Sequence, residues 1–150
     1  MKESRFSYIK SITTLFYILL GGQVLLACTL FALVYFGQLE LFPWRNSPGI
    51  LVILGLSISI ISRFAANYLY KQKLHEIVEG ERPIKKKLED YMTANIQRWA
   101  IMEFAILFCI ILVYLSGNML LMVVTAAMIF LFLLSWPRSA KIIADLDIEI

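Results

Sequence analysis

The stretch FAILFCIILVYLSGNMLLMVVTAAMIFLFLLSWP, residues 104–137, runs for 34 residues without a charge. A bilayer's hydrocarbon core is about 30 Å thick and takes about 20 helical residues at 1.5 Å each. The run is too long for one crossing and suits two short ones. Ser116-Gly117-Asn118 stands at its middle and is a turn signal. Working outward, residues 11–39 and 46–62 are also uncharged. Arg63 interrupts the second of these, and 64–70 continues it. The expected spans are therefore about 11–37, 48–70, 97–116 and 119–136. Strands are a poor alternative, because period-two alternation is absent and an open sheet edge cannot face lipid.

Composition agrees. Sixty per cent of the 150 residues are apolar by the AVILMFWYC count, against about 45–50% in a soluble domain. The mean hydropathy is +0.76. A disordered chain is excluded, and a water-soluble globule is a poor fit. The length suits one integral membrane domain, 1–150. Two cysteines are too few for a disulfide framework or a four-cysteine zinc site. A net charge of +3 is too mild to argue nucleic-acid binding. The first apolar run exceeds the roughly 7–15 residues of a signal-peptide core, and no small-x-small site follows it, so a retained first span is expected.

Basic residues set the expected orientation. Lys2, Arg5 and Lys10 precede span one. Lys71, Lys73, Arg82, Lys85, Lys86, Lys87 and Arg98 lie between spans two and three, and Arg138 and Lys141 follow span four. Twelve of 14 basic residues thus share one side. Arg45 lies opposite and Arg63 within a span. Both termini are expected in the cytoplasm of a bacterial inner membrane. Trp44, Trp99 and Trp136 fall at or near the interfaces.

Residues 71–98 read as a cytoplasmic hairpin that prolongs spans two and three, broken at Gly80-Glu81-Arg82-Pro83. Ile84, Leu88, Tyr91 and Met92 make one apolar stripe, with Leu74, Ile77 and Val78 facing it. Charge pairs such as Lys86 with Asp90 read as a solvated face. Trp136, Ile142, Ile143 and Leu146 suit the membrane surface, and the acidic end 145–150 suits a solvated tail. Shifted by 82 residues, spans one and three overlay, with Gly22 on Phe104 and Tyr17 on Trp99. This suggests two tandem hairpins of one orientation.

Ionisable and polar groups inside a membrane are functional candidates. Gln23 and Glu103 fall about 9 Å inside the cytoplasmic boundary and Arg63 about 7–8 Å. Arg63 and Glu103 occupy adjacent antiparallel spans, so an ion pair is expected to offset their desolvation. Asn67, Gln97 and Arg98 lie nearer the surface and could complete a network. Gly55, Ser59, Ser62 and Ala66 recur at spacings of four, three and four on span two, a face for close helix approach. Gly21 and Gly22 with Ala27 suggest the same on span one. Such faces serve packing within the chain or self-association. His75 is the single histidine, and Cys28 and Cys109 read as small packing residues. No catalytic motif, metal site or cofactor site is present in the sequence, which points away from an enzyme.

Two resemblances arise at these residues. The stretch 98–108, with Tyr114-Leu115-Ser116-Gly117-Asn118 and Pro137-Arg138-Ser139-Ala140-Lys141-Ile142-Ile143, looks like a family of small four-span bacterial inner-membrane proteins. That resemblance implies the fold and carries no activity with it. Arg82-Pro83, then Ala100-Ile101-Met102-Glu103 and an apolar run, is similar to the proteolipid c-subunit hairpin of rotary ATP synthases. It implies an ion-carrying role for Glu103. The resulting expectation is an all-α, four-helix transmembrane bundle in the lipid bilayer. It would be a non-enzymatic accessory, assembly or structural component, self-associating or bound to other membrane subunits. The alternative is an oligomeric subunit that moves protons or cations through Glu103.

Overall fold

The computed structural model describes residues 2–37, 48–80, 82–137 and 139–146. These form five helices: α1 (Lys2–Tyr35), α2 (Pro48–Glu79), α3 (Ile84–Ser116), α4 (Met119–Leu133) and α5 (Ser139–Leu146). The loop 38–47 with Trp44 and Arg45, and the acidic end 147–150, lie outside the described residues. The fold is all-α among the described residues, and α1, α2 and α3 are each long and apolar enough to cross a membrane.

The turn at 116–118 is built by its own residues. Gly117 takes φ 60° and its N–H bonds Val113 O at 2.7 Å. Only a residue without a Cβ enters this region readily. Asn118 then caps α4, accepting the Leu120 N–H at 2.8 Å. At the other end α4 stops at Leu133, three residues short of the expected 136. The Ser135 and Trp136 amides close onto Phe132 and Leu133, and Pro137 disfavours helix at the residue before it.

Contacts fix the directions of the long helices. Gly55 of α2 lies against Cys109 and Leu112 of α3, Arg63 reaches Met102, and Tyr70 reaches Tyr91. These pairs run antiparallel. Phe16 of α1 meets the rings of Trp99 and Phe132, whereas Phe31 and Val34 pack beside Leu112 and Leu121. Thus α1 runs parallel to α3. The most extensive pairing is α2 with α3, across the turn that separates the two expected hairpins, while α1 packs chiefly on α3 and α4. Half of α3's apolar window is buried and about a tenth of α1's, so α3 is the central helix. Trp99 is fully buried at its middle.

Helix α2 is inside-out by the standards of a soluble protein. Its buried side carries Gly55, Ser59, Ser62, Ala66 and Tyr70, small or polar residues. Its outer side presents Ile53, Ile60, Ile61, Phe64 and Tyr68, with Ile61 65% and Phe64 74% exposed. Water would oppose that arrangement, and hydrocarbon favours it.

The tail departs from expectation. Ile142 and Leu146 do not lie on a surface; they are buried in the main core, with α5 packed on α2. Asp90 pairs with Arg82 at 2.6 Å rather than with Lys86. Of the expected stripe, Leu88 and Tyr91 are buried with Ile77, while Ile84 and Val78 face outward.

At Gly55 a Cβ would stand 2.6 Å from a Leu121 methyl and 3.3 Å from a Leu112 methyl. Leu121 is fully buried and has little room to move. Gly55→Ala is expected to cost about 1–3 kcal/mol by overpacking, whereas Gly49→Ala, with open space around it, is expected to cost nothing. Unfolding midpoints in mixed micelles titrated with dodecyl sulfate measure both.

Candidate functional site

The sequence singled out Gln23, Arg63, Asn67, Arg98 and Glu103. Gln23 is buried on the inner face of α1, and its amide oxygen and nitrogen have no hydrogen-bond partner among the described residues. Arg63 and Asn67 are half-buried on α2. Arg63 Nη1 points at Met102 Sδ, 3.5 Å away. Glu103 is half-buried on α3 beside the exposed Phe104 and Leu107. Ion pairs among the described residues include His75 with Glu79 and Arg82 with Asp90. The expected Arg63–Glu103 pair is not among them. Both residues sit at similar depth, but Arg63 is directed to the neighbouring position on α3.

Arg98 belongs instead to a cluster that sequence reasoning missed. Tyr70 from α2 and Tyr91 from α3 converge on Asp145 of α5. The Tyr70 hydroxyl donates to Asp145 Oδ2 at 2.8 Å and the Tyr91 hydroxyl donates to the same oxygen at 3.1 Å. The two hydroxyls stand 3.2 Å apart. Two phenolic protons serve three oxygen–oxygen contacts, so the carboxylate takes both and the third contact is a close approach. The Arg98 guanidinium lies over the Tyr70 ring, its central carbon 4.8 Å from the centroid, a cation–π arrangement. The negative carboxylate thus meets the hydroxyl of Tyr70 and the positive guanidinium covers its ring. Burial raises the Tyr91 phenol above its ordinary value, which keeps it a donor.

The signals were present. Tyr70 continues the Gly55, Ser59, Ser62, Ala66 face by one further step of four. Asp145 shares the face of Ile142 and Leu146, at spacings of three and one. The charged tail composition hid that short stripe.

Deeper in the bundle, Gln23 apart, several polar groups are small and bonded locally. Ser59 Oγ bonds Gly55 O at 2.7 Å and meets Cys109 Sγ at 3.3 Å. Thr125 and Ser116 bond back to their own helices. Gly21 and Gly22 are exposed, with no atom within 4 Å of where a Cβ would stand, while Ala27 is buried. The small residues of α1 therefore do not form one packing face within the chain.

No family model, curated protein or solved structure matches this chain.

The three-way cluster holds α5 in place. Tyr70→Phe with Tyr91→Phe removes both donors from a half-buried carboxylate. About 1–3 kcal/mol is expected to be lost for a donor withdrawn from such a group. Amide hydrogen exchange across 139–146 is expected to accelerate at least about tenfold, with α1 and α4 unchanged. Unaltered protection of α5 would show that the apolar contacts alone seat it.

Proposed function

We propose that the chain is a four-span component of a bacterial inner membrane, with both termini in the cytoplasm, that works by associating with other transmembrane helices rather than by catalysis. Three helices long enough to cross, the inside-out polarity of α2 and the asymmetry of basic residues support the membrane and orientation parts of this reading. Helix α4 has 15 residues, about 22 Å at 1.5 Å each. The irregular residues 134–136 extend its apolar stretch to make the fourth crossing.

One observation carries the association. At 100° per residue, Ile18, Gly21, Gly22, Leu25, Cys28, Thr29 and Ala32 share one side of α1. All are exposed, and none is needed to close the core. Glycine within a helix costs about 0.5–1 kcal/mol relative to alanine. Two adjacent glycines recover nothing from contacts inside this chain. Their use is to let another helix approach closely. An accessory, assembly or structural role follows, with a second copy or another subunit on that side.

Cys28 is a native probe on this face, and Cys109 is buried. Mild copper–phenanthroline oxidation of membranes is expected to yield a disulfide-linked product through Cys28. Gly21→Leu is expected to reduce it severalfold, and Cys28→Ser to abolish it. No product, together with a strictly monomeric purified protein and no co-purifying subunit, would sink the reading.

A second reading draws on Glu103. It is an acid at membrane depth, about 6 Å along α3 from Trp99, half-buried and without an ion pair among the described residues. An oligomer could use it to carry a proton or cation. On this reading a carbodiimide is expected to label Glu103, and Na⁺ or raised pH to block the labelling. Labelling unaffected by either removes ion exchange from consideration.

A further inference from the structure

We propose that the groove between the start of α1 and α3 is a binding site for one anionic phospholipid. Its walls are Lys10, Ser11, Thr14, Leu15 and Ile18 of α1 and Met92 of α3, and it is an open groove of about 420 Å³. That volume lies within the roughly 300–1,000 Å³ of small-molecule sites. The inference rests on the membrane reading above and is independent of any role for Glu103.

The groove is graded along its length. Tyr17 meets the Trp136 ring at 5.3 Å, and Phe16 meets Trp99 at 5.3 Å. Tyrosine and tryptophan gather at the level of lipid headgroups. Lys10 stands six residues from Phe16 toward the N-terminus, about 9 Å outside that level. Lys10 and Thr14 are exposed there, and no carboxylate among the described residues lines the groove. From Lys10 to Ile18 the α1 side of the lining changes from ammonium and hydroxyl to Leu15 and Ile18, while Met92, seven residues before Trp99, stands level with Lys10. Ile18 is 65% exposed at the apolar end.

A phospholipid matches both halves. Its phosphate would meet Lys10 and Thr14, and one acyl chain would run past Leu15 toward Ile18. A free phosphate would leave the apolar half unused. A zwitterionic lipid would bring no net charge to Lys10. The site differs from the association face, which lies further along α1 around Gly21 and Gly22.

Native mass spectrometry from gentle detergent tests the assignment, with phosphatidylglycerol and phosphatidylcholine of identical chains added in turn. The mass reports bound lipid and chain stoichiometry separately, so loss of association and loss of lipid are told apart. Phosphatidylglycerol is expected to be retained preferentially by the wild type. Lys10→Gln is expected to weaken retention about fivefold, as for one lysine at an anionic surface. Lys10→Arg is expected to keep it, and Lys86→Gln, outside the groove, to change nothing. Leu15→Ser is expected to weaken both lipids. Equal retention of the two lipids by the wild type, or an unaltered preference in Lys10→Gln, overturns the proposal. So does displacement of the lipid by chain-free glycerophosphate at equal concentration.

Discussion

Gly55 brings Leu121, Leu112 and Cys109 into contact with the backbone of α2, and three helices take their register from that approach. A Cβ there would need the space that a fully buried leucine occupies. Below it, Ser59 meets Cys109 and Arg63 meets Met102; further along, Tyr70 meets Tyr91. Each of these contacts presupposes the one before it. The long antiparallel contact of α2 with α3 is therefore a continuous seam, and α1 and α4 are laid onto its α3 side.

That seam also explains the distribution of polarity. Between helices in lipid there is little hydrophobic drive, because the acyl chains are as apolar as leucine. What holds the helices is close packing and a few hydrogen bonds. Small and hydroxylic residues accordingly point inward on α2, and isoleucine and phenylalanine point outward. Gln23 departs from that rule on α1: it is buried, as Phe16 and Ala27 are, with no hydrogen-bond partner among the described residues.

Much of the fold was legible because its signals are one-dimensional. An uncharged run has a length, and Ser116-Gly117-Asn118 interrupts it where a left-handed glycine and an asparagine cap are needed. Level along the bundle was legible for the same reason, since residues can be counted from a turn. Azimuth was not. Spans one and three are apolar all round, so no stripe separates the buried side from the outer one. Arg63 and Glu103 were paired by depth alone, and the side chain of Arg63 turned out to be directed at Met102. The same gap placed Gly21 and Gly22 with Ala27, although at 100° per residue they lie on different sides of α1. Where a pattern did carry azimuth, as in Gly55, Ser59, Ser62 and Ala66, all four residues are buried on one face. The tail failed for a different reason. Its charges suggested solvent, but Ile142, Asp145 and Leu146 share a face, and the charge on that face has two phenols to meet it.

The tail's order in turn depends on the seam. Eight residues are too few to hold a helix in isolation, since nucleation is costly and propagation short. α5 is helical because Ile142 and Leu146 enter the core and Asp145 finds donors. Those donors come from two different helices. Tyr70 and Tyr91 face each other only when α2 and α3 are closed along their full length, well beyond the level of Trp99. A splaying of the two helices at that end would separate the hydroxyls and withdraw one hydrogen bond from the carboxylate. Arg98 would at the same time lose the ring it covers. The short helix is thus coupled to the closure of the long ones. Its seating reads out the geometry of the α2–α3 pair at the end that faces away from the Gly117 turn.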